Sequence, residues 1–281
     1  MFRLIRIAFV LVAAAGLSAA PPIVPVGDLP LRFAVIGDNG TGEEPQYGVA
    51  RQMLKAHATS PFEFVVMMGD NFYGSQQPRD LVDKFEIPYG PLLRMGIPFY
   101  AALGNHDEPA HRNYRHFNMN GQRYYSFTKG PVRFFVFDTN LMDEKQLHWI
   151  EQALQSSNDP WKIAVFHHPI YSDGDRHGPN VALRVVLEPL FIRYGVDVAF
   201  SGHEHIYERI KPQKGIPYFI VGSSGKLRKG GMTASAQTAA GFDQDCAFLL
   251  AEISGDDLKF EAISRTGQSV DAGVIKRRAS R

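Results

Sequence analysis

The sequence contains very little cysteine, since Cys246 is the only one among its 281 residues. A single cysteine cannot form a disulfide within the chain, and it cannot supply a cluster of thiolate ligands for a metal ion. Any metal site in this chain must therefore be built from oxygen and nitrogen atoms.

An excess of charge of either sign is also absent. The chain has 30 basic and 29 acidic residues and a formal net charge of +1. This balance creates no overall field that would attract nucleic acid or a membrane surface, so we expect neither as a partner. Residues 266–281 end in Lys276, Arg277, Arg278 and Arg281, and we expect a solvated basic tail there.

Long hydrophobic runs are absent beyond the first twenty residues. Arg3 and Arg6 precede an apolar run from Ile7 to Leu17, and small residues follow it up to Ala20. This pattern predicts a signal peptide at residues 1–20, because the run is short for a membrane span. A buried strand or an uncleaved anchor is the alternative. We expect an exported protein, secreted or periplasmic, with no membrane contact after cleavage.

The rest of the chain alternates between β-rich and helical patterns. This alternation, followed by a hairpin signal around Ser254–Asp257, predicts a layered α/β fold with one domain over residues 31–265. Helices are predicted at Gln46–His57, Leu81–Met95, Glu144–Ser156 and Ala182–Tyr194. Strands are predicted at Leu31–Gly37, Phe62–Gly69, Pro98–Gly104, Val132–Phe137, Lys162–Phe166, Val196–Ser201, Pro217–Gly222, Ala247–Ile253 and Leu258–Ile263.

Five predicted strands end in side chains that can bind a metal ion. Ligands of α/β proteins bind at the carboxyl ends of strands, where loops leave a crevice. Each motif alone is more typical of a turn, but five in one order are difficult to explain as turns. The motifs are Gly37-Asp38-Asn39-Gly40, Gly69-Asp70-Asn71-Phe72-Tyr73, Gly104-Asn105-His106-Asp107, His167-His168-Pro169 and Gly202-His203-Glu204-His205.

These residue types suit a particular chemistry. Two carboxylates, an amide oxygen, three imidazoles and a phenol can hold two hard or borderline cations, with one carboxylate shared between them. Two cations held about 3.5–4 Å apart activate water, orient a phosphate group and offset its developing charge. The sequence therefore predicts hydrolysis of phosphate esters by metal-activated water.

The five motifs resemble those of the calcineurin-like metallophosphoesterase superfamily. Tyr73, three residues after Asp70, resembles the tyrosine of the purple acid phosphatases within that superfamily. The resemblance extends from about Leu31 to Arg265 and includes His177-Gly178-Pro179. It implies a two-sheet β-sandwich flanked by helices, in the small single-domain form of these enzymes.

The resemblance also implies roles for individual residues. Asp38, Tyr73 and His205 would hold an Fe(III) ion, and Asn105, His167 and His203 would hold Fe(II), Zn or Mn. Asp70 would bridge the two ions. A phenol binds as phenolate only beside a strongly charged cation, which agrees with Fe(III) near Tyr73.

Two further histidines are candidates for substrate contact or acid catalysis. His106 would face the phosphate and the leaving group, with Asp107 behind it as an orienting partner. His177 matches a second histidine of the family only if one extra residue is allowed after His167. Because neighbours on a strand point to opposite faces, we expect only one of His167 and His168 to be a ligand, and the family register favours His167.

Three functions remain open at this point. The first is a phosphatase for small phosphate monoesters with an acid-shifted pH dependence. The second is a phosphodiesterase or nucleotide-directed phosphoesterase on the same scaffold. The third is an exported metal-binding protein without catalysis. The natural substrate, the second metal and the oligomeric state are not readable from the sequence.

Overall fold

Two β-sheets packed face to face form the centre of the protein. The structure, a computed structural model, describes residues 30–278. The predicted signal peptide at 1–20 and the last three residues of the predicted tail lie outside these described residues. Within residues 30–278, no helix is long and apolar enough to cross a membrane.

Thirteen strands occur in the described residues, and they divide between the two sheets. In chain order they are β1 (Leu31–Ile36), β2 (Phe64–Met67), β3 (Phe99–Ala101), β4 (Tyr125–Lys129), β5 (Val132–Val136), β6 (Trp161–Val165), β7 (Val198–Ser201), β8 (Tyr207–Gln213), β9 (Ile216–Val221), β10 (Thr238–Phe242), β11 (Ala247–Ser254), β12 (Asp257–Ser264) and β13 (Ser269–Lys276).

The first sheet has the order β13-β12-β11-β1-β2-β3, and the second has the order β10-β8-β9-β7-β6-β5-β4. Strands β1, β2 and β3 run parallel to one another. Strands β5, β6, β7 and β9 do the same in the second sheet. The carboxyl ends of the parallel strands in each sheet therefore share one edge.

Helices cover the outer face of each sheet. They are α1 (Glu44–Thr59), α2 (Pro78–Leu81), α3 (Gly90–Arg94), α4 (Glu144–Ser156) and α5 (Val181–Tyr194). A π-helix spans Val82–Glu86 and a 3₁₀ helix spans Pro109–Asn113. Buried side chains of α1 pack on the first sheet, whereas those of α4 and α5 pack on the second.

The core lies in three layers of apolar side chains. Between the sheets, the ring of Phe33 stacks on Phe64 at 5.3 Å and meets the edge of Phe134 from the second sheet at 5.2 Å. In β1, Phe33 and Val35 face this inter-sheet layer, while Ala34 and Ile36 face the helices. Strands that are buried on both faces have continuous apolar sequences, and for this reason the sequence pattern predicted them.

The predicted fold class, a two-sheet α/β sandwich flanked by helices, is confirmed. The helix predicted over Leu81–Met95 is wrong as a single helix. Pro88 and Pro91 lack the amide hydrogen that a continuous helix needs, and the segment divides into α2, the π-helix and α3.

The predicted basic tail contains a further strand. Residues 269–276 form β13, which pairs with β12 as the edge of the first sheet. The turn from Ser264 to Gln268 reverses the chain, with Ser264 N donating to Gln268 O at 2.8 Å. This strand has few large apolar residues, so its sequence carried little strand signal.

Candidate metal centre

The adjoining carboxyl ends of the two sheets bring together all seven candidate ligands predicted from the sequence. Those following the first sheet's strands are Asp38, Asp70, Tyr73 and Asn105, and those following the second sheet's strands are His167, His203 and His205. Their donor atoms form two adjoining clusters. Asp38, Asp70, Tyr73 and His205 make the carboxylate–phenol cluster, and Asn105, His167 and His203 make the imidazole–amide cluster.

The carboxylate–phenol cluster has short distances between its donor atoms. The Tyr73 hydroxyl lies 2.9 Å from Asp38 Oδ1 and 3.1 Å from His205 Nε2. His205 Nε2 lies 3.5 Å from Asp38 Oδ1. One donor atom each from Asp38, Asp70 and His205 fall within 4.8 Å of one another. These separations resemble those of atoms that coordinate one ion at about 2 Å.

In the imidazole–amide cluster, the hydrogen bond behind His167 fixes which nitrogen faces the site. His167 Nδ1 lies 2.8 Å from the carbonyl oxygen of Met68, which can only accept, so Nδ1 carries the proton. The lone pair on Nε2 then points to the other donors, 3.1 Å from both Asn105 Oδ1 and His203 Nδ1. Metal-binding histidines are oriented in this way by their other ring nitrogen.

Asp70 lies between the two clusters. Its Oδ1 is 3.4 Å from His167 Nε2 and accepts a hydrogen bond of 2.9 Å from the His106 amide. The same carboxylate belongs to the group formed with Asp38 and His205. The Asp70 carboxylate is therefore within reach of donor atoms from both clusters.

Backbone strain is concentrated at these residues. Asp38, Asp70 and His203 adopt positive φ angles of 52°, 51° and 70°. Such a conformation costs roughly 1–3 kcal/mol at a residue other than glycine and persists where the surrounding structure enforces it. At each of these three residues the positive φ turns the backbone sharply at the end of a strand. The turn directs the side chain into the crevice.

Two of the glycines in the motifs permit close approach. A Cβ atom at Gly202 would lie 2.5 Å from Asp38 Oδ2. A Cβ at Gly104 would collide with the Asp70 carboxylate. The glycines therefore let the loops of the two sheets close around the two carboxylates.

Burial keeps the imidazoles of the site unprotonated. Burial, followed by the charge of His167, lowers the pKa of His203 to about 2, and burial lowers the pKa of His205 to about 4. Burial also lowers the pKa of His167. Their lone pairs therefore remain available to a metal ion at mildly acidic pH.

The pKa values of the acidic groups shift in the opposite direction. Burial, followed by the charge of Asp70, raises the pKa of Asp38. Burial and then the charges of Asp38 and Asp70 raise the pKa of the Tyr73 phenol well above its usual range. Crowded buried carboxylates and a phenol can all ionise only beside strong positive charge, so this donor set fits a pair of cations.

The two additional candidates of the third motif have different surroundings. His106 is exposed, and its ring packs on the ring of Tyr73 with centroids 4.7 Å apart. Asp107 is not the orienting partner that the sequence predicted. Its carboxylate accepts hydrogen bonds from the amides of Asn71, Phe72 and Gly104 at 2.8–3.2 Å.

Asp107 differs from the prediction because the Gly104–Asp107 loop turns tightly. It places the Asp107 side chain beneath the loop that carries Asp70 and Tyr73, where buried amides lack other partners. Asp107 therefore fixes the position of one ligand loop relative to the next.

His177 lies beside the imidazole–amide cluster, with its ring 4.1 Å from the ring of His203. The side chain that holds its loop is Glu204, which the sequence had not singled out. Glu204 is fully buried, and its Oε1 accepts from the amides of His177 and Gly178 at 2.5 and 2.6 Å. Its position between His203 and His205 could have indicated a role at the site.

His168 also lies at the site, which differs from the expectation that it would point away. Strand β6 ends at Val165, so the alternation of strand side chains no longer applies two residues later. Its ring is 4.4 Å from that of His203, and its donor atom groups with those of His167 and His203 within 4.8 Å. The Thr139 hydroxyl lies 2.9 Å from His168 Nδ1 and fixes the ring.

A lysine adds positive charge at the carboxylate–phenol cluster. The Lys226 Nζ lies 4.3 Å from the centroid of the Tyr73 ring, and its amide donates to Asp38 O at 3.0 Å. Lys226 is on the glycine-rich loop that follows β9. An ammonium group there favours anions bound at the site.

Comparison with known proteins is consistent with this geometry. The family model described as "Calcineurin-like phosphoesterase" matches residues 31–207. Acid phosphatase type 7 of Mus musculus is 31% identical over 212 residues, which are 64% of this chain and 48% of that protein. The chain thus spans about half the length of that relative. Tartrate-resistant acid phosphatase type 5 of Homo sapiens is 24% identical over 300 residues, 89% of this chain and 92% of that protein.

Two solved structures share the fold. GAP50, the anchor in the inner membrane complex of Plasmodium, has a TM-score of 0.76 at 21% identity, covering 89% of this chain and 90% of that one. The purple acid phosphatase PPD1 from yellow lupin (Lupinus luteus) seeds has a TM-score of 0.73 at 21% identity, covering 89% of this chain and 55% of that one. The chain is therefore a purple acid phosphatase-like member of the calcineurin-like phosphoesterase family, a family of metal-dependent phosphoester hydrolases.

Proposed function

We propose that the protein is an exported acid phosphatase that uses a binuclear metal centre to hydrolyse small phosphate monoesters. The observation that carries the proposal is the pair of adjoining clusters that meet at Asp70. When bound, two cations in these clusters supply Lewis-acid chemistry, because they orient a phosphate, offset its charge and make water a better nucleophile.

The charges of the two clusters support different ions. The carboxylate–phenol cluster offers the carboxylates of Asp38 and Asp70 and, when ionised, the phenolate of Tyr73. The imidazole–amide cluster offers neutral atoms and its share of Asp70. We therefore assign Fe(III) to the first cluster and Fe(II), Zn or Mn to the second.

The remaining side chains act on the substrate. His106 is exposed beside Tyr73, so it is free to protonate the oxygen of the leaving group. His177, whose ring lies 4.1 Å from that of His203, would contact the phosphate next to the imidazole–amide cluster. Lys226 contributes positive charge near the Tyr73 end of the site.

The experiment that tests this function compares two substrates. Protein lacking residues 1–20 is reconstituted with iron and zinc, and initial rates are measured on an aryl phosphomonoester and on the matching diester from pH 4 to 8. We expect faster turnover of the monoester and an optimum on the acid side. A preference for the diester, or no turnover by metal-loaded protein, would contradict the proposal.

Export is tested separately. The protein is expressed with its full sequence in a secreting host, and the N-terminus of the exported material is determined. We expect cleavage near Ala19 or Ala20. Exported protein that still carries residues 1–17 would contradict the predicted signal peptide.

A further inference from the structure

We propose that the organic group of the substrate binds in a cleft beside His168, the Leu141 cleft, and that this cleft selects esters whose organic group is apolar and uncharged. Aryl and alkyl phosphates belong to this class, whereas esters that carry a second anionic group do not. The inference rests on the proposed function, since it names the substrate class for the same site.

The Leu141 cleft has a volume of about 540 Å³. It adjoins the imidazole–amide cluster, because Asn105 of that cluster lines it together with His168, whose ring packs against His203. An organic group in this cleft would therefore extend from a phosphate held at the two clusters. Its other walls include Leu103, Asp107, Pro109, Arg123, Asp138 and Leu141.

Among the described residues that line the cleft, Arg123 is the one arginine or lysine, and it is already paired. The guanidinium of Arg123 donates to Asp138 Oδ2 at 3.0 Å and to Asp143 Oδ2 at 2.8 Å. It also donates to the carbonyl of Leu141 at 3.2 Å. Two carboxylates offset this one cation, so a second anion on the substrate would find no free positive charge there.

The rim of the cleft exposes apolar surface. Leu141 is 56% exposed, although it lies beside a polar site. An aryl or alkyl group would cover this side chain and remove apolar area from water. Covering about half of a leucine side chain corresponds to an effect of roughly fivefold on binding.

The other end of the site has the opposite character. Lys226 lies over the Tyr73 ring, and Arg228 follows it on the same loop, with its backbone amide donating to His205 O at 2.9 Å. These two cations lie at the carboxylate–phenol end of the site. The carboxylate–phenol end of the site therefore carries cations, whereas at the cleft end the charge of Arg123 is paired and the Leu141 side chain is apolar. This difference orients the ester.

The test uses two esters that differ by one charge, phenyl phosphate and 4-carboxyphenyl phosphate. For the wild-type protein we expect kcat/KM to favour phenyl phosphate by about fivefold, because only the uncharged ring can cover Leu141 without removing a charged carboxylate from water. In Leu141→Lys the new ammonium would reach the carboxylate, so this preference should fall by about tenfold or reverse. The control is Val274→Lys, because Val274 is 52% exposed on strand β13 and is remote from the cleft.

A binding measurement separates this inference from the proposed function. Phenylphosphonate and 4-carboxyphenylphosphonate cannot be hydrolysed, so their dissociation constants for metal-loaded protein do not depend on turnover. A wild-type preference for phenylphosphonate that is lost in Leu141→Lys supports the cleft even if every ester proves inert. Equal binding of the two compounds, or a Leu141→Lys variant that matches Val274→Lys, would overturn the inference.

Discussion

The two candidate metal clusters consist of different types of side chain, although they meet at Asp70. The carboxylate–phenol cluster is rich in groups that become negative, and burial raises the pKa of Asp38 and Tyr73 within it. The imidazole–amide cluster is neutral, and burial lowers the pKa of His167 and His203. We therefore propose a cation of high charge for the first cluster and an ordinary divalent ion for the second.

The largest effect is expected where the two clusters meet. Asp70→Asn removes the shared charge but keeps a residue type that tolerates the positive φ of this position. We expect loss of at least one bound metal and a fall in kcat on the order of a thousandfold, because both ions lose a ligand.

Metal analysis and turnover of the purified variant check this prediction. The control is Asp256→Asn, an exposed carboxylate at the turn after β11. Full metal content with unchanged kcat in Asp70→Asn would show that the two clusters do not share this residue.

A smaller effect is expected from a change confined to the imidazole–amide cluster. Asparagine in His203→Asn also tolerates the positive φ of this position. The backbone amide of residue 203 can still donate to Asp38 Oδ2. We expect selective loss of the divalent ion and a fall in kcat on the order of a hundredfold. Visible absorption from Fe(III)-phenolate should remain, and its disappearance would contradict the separation of the clusters.

The complementary change affects the carboxylate–phenol cluster. Tyr73→Phe removes only the hydroxyl, so the ring can keep its contacts with His106 and Lys226. We expect the visible absorption band to vanish while zinc stays bound, with kcat lowered roughly tenfold. A coloured Tyr73→Phe protein would remove Tyr73 from the ligands of iron.

The strands that carry the site could be predicted because they are buried on both faces. In β1, Phe33 and Ala34 face two different apolar layers, so the whole strand is an apolar run. Strand β8 (Tyr207–Gln213) was missed, because Glu208 and Arg209 interrupt that pattern. Glu208 is buried nonetheless, since the Ser172 hydroxyl and the Asp173 amide satisfy it.

The candidate ligands could be predicted for a related reason, since each follows a strand end. The surrounding residues could not, because their roles depend on contacts between distant segments. Asp107 binds amides of Asn71 and Phe72, more than thirty residues away, and Thr139 fixes His168 across 29 residues. A pattern of spacing within one motif contains no information about such partners.

The smallest effect is expected at Glu204, which acts on the imidazole–amide side of the comparison. Its carboxylate holds the amides of His177 and Gly178, and a Cβ at Gly174 would lie 2.5 Å from it, so the loop packs closely against this side chain. In Glu204→Ala both amides lose their partner, and His177 loses its fixed position against His203. We expect kcat to fall roughly fivefold to tenfold with both metals retained, because only positioning is lost.

Two measurements distinguish this positioning effect from general damage. Arg176 is exposed within the same loop, so trypsin should cleave after it faster in Glu204→Ala than in the wild-type protein. If Glu204 acts through His177, the variant His177→Ala should have low kcat already, and adding Glu204→Ala should lower it little further. Full additivity of the two changes, with unaltered proteolysis, would mean that Glu204 supports the carboxylate–phenol side instead, through its neighbour His205.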